Sequence, residues 1–387
     1  MMIDTSVYYE SVEIQHHFIK QLGEIDRDKI AEFISLLAGF ILDGSDRTKI
    51  IYGIAEGRSA LSLYDFLQQS SRYENITPLT LDDPIRRYID PEKNNLIVAA
   101  TGSGETKSVI RYLEDAFLME VPVVLITSNI KSRAYTMISE YENGYTFVIE
   151  PVRLTERKKL AALGSEFELK LFVLLNAIIP ELYHNSTGDS QRYYEQIDHL
   201  ADNAMLLKNI ESGHLADWMD RLLNRRGNYV VDGVGRSGFV AKAFGMRLTH
   251  LGRNVFMRDG PTTPAFLRGD AFIPISGSGN TREIIEGVVK AKLRGADVFP
   301  VTVNRDSRLA SLMESWGYSK NIMYLPVSQD DIGLYQEKDM SKIMATKSVQ
   351  SRPSISEVNS YVFTNAIVAQ AMEMLGVSEQ YLKRIHV

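Results

Sequence analysis

A repeated segment is the feature that most constrains the fold of this chain. The stretch IVAATGSGETKSVI at 97–110 returns in the second half of the chain as FIPISGSGNTREII at 272–285. In both stretches an apolar, strand-like run leads into a loop of glycine, serine and threonine, and a helical pattern follows. The sequence therefore predicts two copies of one structural unit.

The repeat extends beyond the loop on both sides. Each copy opens with a short β-branched strand and a glycine turn, at 49–67 and 228–252, and a third apolar strand follows at 122–138 and 297–313. Strands that alternate with helices favour parallel pairing, right-handed crossovers and helices on both faces of the sheet. We therefore expect an α/β fold with two doubly wound parallel sheets.

Length and composition agree with two domains. The chain has 387 residues, of which 44% are hydrophobic, and this content is enough for two ordinary cores. The polar segment YHNSTGDSQ at 183–191 is the expected boundary. It divides the chain into a first domain at 1–185 and a second domain at 186–387.

Composition also disfavours several classes of function. The chain contains no cysteine, which excludes disulfides, thiolate nucleophiles and cysteine-ligated zinc. A net charge of -6 without a basic tract argues against a nucleic-acid partner. We find no apolar run long enough to span a bilayer and no signal-peptide pattern, so we expect a cytoplasmic protein without a membrane partner.

The loop SGSGNT of the second copy has the residues of an anion site. A loop between a strand and a helix lies at the carboxyl edge of a parallel sheet, where the unpaired N–H groups and the dipole of the helix attract anions. Gly277 and Gly279 leave room for the backbone to close around an oxyanion. Ser276, Ser278 and Thr281 add hydroxyl donors, so a phosphate monoester fits this loop.

The first copy has counterparts of these hydroxyls in Thr101, Ser103 and Thr106. Ordinary turn and N-cap residues also produce such loops, but two copies with matched flanks favour binding. GSGETKS at 102–108 lacks the glycine that precedes lysine in a Walker motif, so nucleotide hydrolysis has little support. No metal-ligand cluster is apparent, and no metal is expected.

A second glycine-rich turn, GVGRSG at 233–238, matches the dinucleotide-binding pattern, with Asp259 about 20 residues further on. The first copy has GIAEGRSA instead, which loses this spacing and keeps Gly57-Arg58-Ser59. Since GRS is what the chain repeats, the dinucleotide interpretation is the weaker one, and no cofactor is expected. Ser59, Arg236 and Ser237 become candidate ligands of a phosphate or sugar oxygen.

Together these motifs resemble the sugar isomerase (SIS) domain family: GRS after the first strand, TGSGET or SGSGNT after the second, and a later Ser-Arg after the third. The second copy is most similar to 6-phospho-3-hexuloisomerases, through GVGRSGFVAKAFGMRLTHLG, PTTPA and ISGSGNT. The resemblance implies two tandem SIS domains with flavodoxin-like sheets. It also implies a phosphosugar substrate, isomerisation through an enediol and an oligomer, for which we expect a homodimer.

Isomerisation requires a base that moves a proton between neighbouring carbons, and donors for the enediolate oxygen. The resemblance implies that the base is a glutamate at the start of the helix that closes each domain, which is Glu168 or Glu357. The commoner reason for a glutamate in a first helical turn is the helix dipole. His250 falls where phosphohexuloisomerases carry a histidine and is a further candidate, although a structural role suits it equally well.

The two copies are not equivalent. The first has Ala60 in place of Gly238 and no counterpart of His250, whereas the second lacks the Phe167 that precedes Glu168. We therefore expect the fuller site around the second copy, in a pseudo-dimer of domains that share sites.

Three functions follow from the resemblance. The leading hypothesis is isomerisation of a ketohexose 6-phosphate, with fructose 6-phosphate as substrate or product. The alternatives are an amino-sugar phosphate isomerase or deaminase, and a non-catalytic sugar-phosphate-binding module.

Overall fold

The computed structural model describes residues 3–42, 49–73, 75–83, 94–152, 165–183, 190–336 and 354–378. The contacts within the chain divide it into two units. The N-terminal unit comprises Phe18–Arg153 and Glu166–Asp198, and the C-terminal unit comprises Met1–His17, Leu154–Ser165 and His199–Val387. The predicted boundary between 185 and 186 lies outside the described residues, and the contiguous domains 1–185 and 186–387 stay a prediction.

The sheet of the N-terminal unit has five parallel strands in the order β2-β1-β3-β4-β5. This is the flavodoxin-like order, in which the strand sequence reverses beside the first strand. The strands are β1 (Lys49–Ala55), β2 (Ile76–Thr80), β3 (Asn94–Thr101), β4 (Val123–Thr127) and β5 (Gly144–Val148). The described helices up to residue 183 are α1 (Ser6–Leu22), α2 (Arg27–Ile41), α3 (Gly57–Ser70), α4 (Lys107–Leu118), α5 (Arg133–Ser139) and α6 (Ser165–Tyr183).

The C-terminal unit repeats this topology with shorter strands. The strands are β6 (Tyr229–Asp232), β7 (Val255–Met257), β8 (Ala271–Pro274), β9 (Asp297–Val298), β10 (Val301–Thr302) and β11 (Met323–Tyr324). They pair in parallel as β7-β6-β8-β9 and as β10-β11, and a bridge from Ile275 to Val301 joins the two ladders. Pro300 separates β9 from β10 because proline has no N–H to donate to a ladder.

The helices of the second half follow the same alternation. They are α7 (Gln191–Met205), α8 (Ser212–Leu223), α9 (Arg236–His250), α10 (Arg282–Leu293), α11 (Arg308–Ser315), α12 (Gln329–Gln336) and α13 (Ile355–Leu375), with 3-10 turns at Leu206–Asn209 and Ser319–Asn321. Parallel sheets flanked by helices confirm the predicted α/β class. Across the described residues, no helix has both the length and the apolar content needed to cross a bilayer.

Each sheet is buried against its helices by matching residues. Ile97 and Leu125 have no exposed surface in the N-terminal unit, and Phe272 and Val298 occupy the corresponding strands in the C-terminal unit. Burial of one such side chain stabilises a fold by about 1.5–3 kcal/mol. Packing of this kind fixes the strands, and the strand ends in turn position the two loops.

Candidate active site

The two glycine-serine loops follow β3 and β8 and have the same internal geometry. In the first loop the Gly104 N–H donates to Thr101 Oγ1 at 3.1 Å, and in the second the Gly279 N–H donates to Ser276 Oγ at 3.2 Å. Gly104 and Gly279 both have a left-handed φ, of +69° and +62°. An L side chain is strained there, so this glycine is required for the shape of the loop.

An asparagine after the third strand holds the middle of each loop. The Asn129 side-chain amide donates to the Ser103 carbonyl at 2.9 Å, and Asn304 donates to the Ser278 carbonyl at 3.1 Å. No sequence motif points to these asparagines, although each follows an aligned apolar strand. Their matching contacts support two copies of one binding scaffold.

The helices that follow the loops begin without a side-chain cap. Thr106 and Thr281 hold the N-cap positions of α4 and α10, and neither side chain accepts a hydrogen bond from its helix. The Thr106 hydroxyl lies 3.0 Å from that of Thr101, and the Thr281 hydroxyl lies 3.4 Å from that of Ser276. The first N–H groups of both helices are therefore available to an anion, which the helix dipole also favours.

The two candidate glutamates are both paired with the arginine of a GRS turn. Glu168 forms an ion pair with Arg58 in the N-terminal unit. In the C-terminal unit Arg236 Nη2 donates to Glu357 Oε2 at 2.9 Å, and Arg236 Nη1 donates to Ser354 Oγ at 2.6 Å. Arg236 therefore holds the glutamate, and its predicted role as a ligand of the substrate stays a prediction.

A cavity of about 220 Å³ lies beside the loop of the C-terminal unit. The predicted site residues among its lining are Arg236, Ser237, Ser276, Gly277, Ser278, Thr281 and Glu357. The lining also contains residues that the sequence analysis missed, which are Val234, Ile275, Leu334, Tyr335 and Ser356. The structure thus brings the predicted anion-binding loop and a carboxylate to one cavity.

Three donors hold the Glu357 carboxylate in this cavity. Besides the guanidinium of Arg236, the Ser356 hydroxyl donates to Oε2 at 2.9 Å and the Ser237 hydroxyl to Oε1 at 3.4 Å. The residue is nearly buried. A carboxylate held in this way has a fixed position beside the anion loop, as a group that transfers protons requires.

The wall next to Gly277 consists of Ser356 and Tyr335. A Cβ atom on Gly277 would lie 2.5 Å from Ser356 Oγ and 3.4 Å from Tyr335 Cε1, so only glycine fits there. The Ser356 N–H donates to the Tyr335 hydroxyl at 3.0 Å. Burial, with a contribution from the charge of Glu357, raises the pKa of Tyr335 to about 12.

The wall of the first loop is apolar instead. The ring of Phe167 lies against Gly102, where a Cβ atom would be 2.8 Å from Cδ1 of the ring. Phe167 precedes Glu168 just as Ser356 precedes Glu357. Ser59 is partly buried in the first turn of α3, and the described contacts give it no catalytic partner.

His250 is far from the other predicted catalytic residues of its unit. It is the last residue of α9, and Arg236 is the first. A helix rises 1.5 Å per residue, which puts their Cα atoms about 21 Å apart. The C-terminal unit therefore does not bring its own His250 to Glu357, and the catalytic role of His250 stays a prediction. Within the described ranges, no group of three His, Asp or Glu side chains is arranged to hold a metal ion.

Comparison with known proteins finds similar sequences for the second copy. Residues 222–333 match the SIS domain family. The chain is 31% identical to the 3-hexulose-6-phosphate isomerase of Methylomonas aminofaciens over 165 residues, which cover 43% of this chain and 82% of that protein. It is 30% identical to the 3-hexulose-6-phosphate isomerase of Bacillus subtilis strain 168 over 192 residues, or 50% of this chain and 94% of that protein.

The fold of the whole chain is also found in a solved structure. Tagatose-6-phosphate ketose/aldose isomerase from Escherichia coli superimposes with a TM-score of 0.60 at 14% sequence identity, covering 97% of this chain and 96% of that one. At this identity the likeness concerns the fold alone. The relatives of the second copy confirm the resemblance predicted from GVGRSG, PTTPA and ISGSGNT. The chain therefore belongs to the SIS domain family.

Proposed function

We propose that the chain is a phosphosugar isomerase that acts on a ketohexose 6-phosphate in the cavity of the C-terminal unit. The sharpest form of this proposal is the interconversion of 3-hexulose 6-phosphate and fructose 6-phosphate. One observation carries it: the loop Ser276–Thr281 and the Glu357 carboxylate line the same cavity. The names of the relatives that match the second copy agree with this choice of substrate.

The loop is the proposed site of the phosphate. The uncapped start of α10 supplies N–H groups and the positive end of a helix dipole. The hydroxyls of Ser278 and Thr281 line the same cavity and add donors. A phosphate held there fixes one end of the substrate and leaves the sugar carbons to be positioned against the remaining wall.

Glu357 is the proposed base. Its carboxylate lines the cavity and is held by Ser356, Ser237 and Arg236, so its position is fixed before substrate binds. The carboxylate removes a proton from a carbon next to the carbonyl and returns it to the neighbouring carbon. Proton transfer by a positioned side chain contributes about 10²- to 10⁴-fold to a rate.

Exchange with deuterated water tests the substrate and the reaction together. The protein is incubated with hexose and pentose phosphates, and NMR follows deuterium at C1, C2 and C3. We expect exchange with fructose 6-phosphate at the carbon deprotonated by the base. Ammonia release from glucosamine 6-phosphate without such exchange would replace the proposal by amino-sugar chemistry. Binding without exchange of any sugar phosphate would indicate a non-catalytic binding module.

Calorimetric titration of fructose 6-phosphate tests the location of the site. Ser276→Ala removes the hydroxyl that accepts from the Gly279 N–H and shapes the second loop. Thr101→Ala makes the matched change in the first loop. We expect Ser276→Ala to weaken binding by about tenfold, the value of one hydrogen bond of 1.4 kcal/mol, and Thr101→Ala to leave it unchanged. Equal losses would contradict a site confined to the second copy.

A further inference from the structure

We propose that the hydroxyl of Tyr335 is a catalytic hydrogen-bond donor, which stabilises the substrate oxygen on which negative charge develops during isomerisation. This inference rests on the proposed isomerase function and adds a residue to it. Neither the repeat nor the sequence motifs point to Tyr335. Its position in the cavity, its hydrogen bonds and its anchored helix carry the inference.

The first observation is the direction of the hydrogen bond that Tyr335 makes. Its oxygen accepts from the Ser356 N–H at 3.0 Å, so the phenolic proton is not used in that bond. Among the described residues, the Tyr335 hydroxyl donates to no carbonyl or carboxylate. The hydroxyl of Tyr335 also interacts with the side chain of Ser356, whose own proton goes to Glu357. Because Tyr335 lines the cavity together with Glu357, its proton can be donated to an oxygen of a molecule bound there.

The neighbouring donors are engaged differently. The hydroxyls of Ser237 and Ser356 and the guanidinium of Arg236 all donate to the Glu357 carboxylate. They therefore hold the base, whereas Tyr335 remains for the substrate oxygen. Its pKa, raised to about 12 by burial and then by the charge of Glu357, keeps the phenol protonated at neutral pH.

The helix that carries Tyr335 is fixed at both ends. Near its start, Asp331 accepts from His199 Nε2 and from Asn203 Nδ2, each at 3.1 Å. At its end, Asn304 Nδ2 donates to the Tyr335 carbonyl at 2.9 Å. Asn304 is also the residue that holds the phosphate loop, so the phenol and the loop have a common anchor. A donor fixed in this way pays no reorganisation cost when charge develops.

The proton balance of the reaction is complete with these groups. Glu357 takes the proton from carbon, and the electron pair of that bond moves to form the enediolate and its oxygen anion. Tyr335 donates a hydrogen bond to this oxygen and keeps its own proton. Glu357 then returns its proton to the neighbouring carbon, while the proton of the neighbouring hydroxyl passes to the former carbonyl oxygen. Substrate and product therefore have the same composition.

Tyr335→Phe tests the inference because it removes one oxygen and keeps the ring. We expect kcat of isomerisation to fall by about 100-fold, the effect of one lost donor to an oxyanion, while KM changes by less than about twofold. A phosphorylated hydroxamate that mimics the enediolate should lose affinity by a similar factor. Affinity for inorganic phosphate and the thermal midpoint should stay at the wild-type values.

Tyr324→Phe is the matched control, since Tyr324 lies at the same edge of the sheet with its ring on Arg305 and does not line the cavity. It should keep wild-type kinetics. If the wild type exchanges deuterium into a sugar phosphate and Tyr335→Phe does so equally fast, the inference is overturned and the proposed function remains intact. A wild-type protein that exchanges no sugar phosphate would overturn the proposed function, and the inference with it. If Tyr335→Phe loses kcat and phosphate affinity equally, the phenol has only a structural role, and this result would also overturn the inference.

Discussion

In the N-terminal unit the ring of Phe167 lies against Gly102, whereas in the C-terminal unit the hydroxyl of Ser356 lies against Gly277. Around these contacts the two loops are alike. Asn129 and Asn304 make the same bond to the loop carbonyl. The wall beside the loop is therefore apolar in the N-terminal unit and hydrogen-bonding in the C-terminal unit, and the residue before the glutamate makes this difference.

The comparison shows that the shape of each loop and the polarity of the wall beside it are set by different residues. The shape of the loop comes from a glycine with a positive φ and from a hydroxyl at the strand end, and both are present in each copy. The proposed chemistry depends on the residue before the glutamate and on Tyr335, which lines the cavity from α12. A repeated loop can thus persist while the side chains packed against it differ between the copies.

Removal of the proposed base should produce the largest difference in activity between matched variants of the two copies. Glu357→Gln keeps the size of the side chain and removes the carboxylate, so the rate of deuterium exchange should fall by about 10³-fold. Glu168→Gln makes the same change in the first copy and should cost less than about threefold. NMR of fructose 6-phosphate in deuterated water measures both rates. If both variants lose activity equally, the two copies share the chemistry.

Swapping the wall residues between the two copies should lower sugar affinity in the C-terminal unit and stability in the N-terminal unit. Ser356→Phe places a ring where Phe167 stands in the first copy and should lower the affinity for fructose 6-phosphate by at least about 100-fold, or about 3 kcal/mol. Phe167→Ser removes a buried ring and should lower the free energy of unfolding by about 3 kcal/mol while sugar affinity stays unchanged. Calorimetry and urea denaturation provide the two readings. Tight binding by Ser356→Phe would place the site elsewhere.

A pair of tyrosines, one in each unit, allows a pH test. Burial raises the pKa of Tyr335 and of Tyr64 from 10.0 to about 12 in each case. The unfolded chain loses these protons near pH 10 and the folded chain near pH 12. The contribution of these two tyrosines to the free energy of unfolding is therefore complete below pH 10 and decreases as the pH rises towards 12.

Tyr335→Phe should remove its share of this decrease, which is at most about 3 kcal/mol for a pKa raised from 10.0 to about 12. Tyr64→Phe should remove the share of the N-terminal unit. Urea denaturation of the wild type and of both variants between about pH 9 and pH 12 measures the difference. Only Tyr335→Phe should also lower kcat, and a loss of kcat in Tyr64→Phe would contradict the asymmetry of the two copies.

Charge at the loops should have the smallest effect. Asn280 Oδ1 accepts from the Arg308 N–H at 2.9 Å, and Glu105 Oε1 accepts from the Arg133 N–H at 2.8 Å in the first copy. Asn280→Glu should keep this contact but add a negative charge beside the phosphate. We expect affinity to fall by about fivefold, or about 1 kcal/mol, and less at high salt. Glu105→Asn is the control, and because it removes a negative charge from the first loop, a rise in affinity of similar size would place sugar binding there as well.

Much of the fold and part of the site could be predicted from the sequence. The strand–helix alternation, the loops Thr101–Thr106 and Ser276–Thr281 and the glutamates at the helix starts all depend on contiguous residues, whereas the flavodoxin-like strand order came from the family resemblance. Apolar alternation, a glycine turn and a helix start are local signals, because backbone conformation depends mainly on near neighbours. The repeat made these signals visible twice.

The remaining site residues could not be predicted in this way. Tyr335 lies on a short helix far from the motifs, and nothing in its own segment indicates that its phenol reaches Ser356. The pairing of Arg236 with Glu357 joins two segments separated by most of the C-terminal unit. His250 was selected by resemblance, and the length of α9 separates it from the cavity of its own unit.

The sequence by itself determined that two similar strand–loop–helix units would form and that each would place a glycine-serine loop at the start of a helix. Only the tertiary structure decided which side chains surround each loop: Phe167 at the first, and Ser356 with Tyr335 at the second. The reason is physical. Turns and helix starts are encoded within a few residues, whereas the neighbours of a side chain depend on how distant segments pack together.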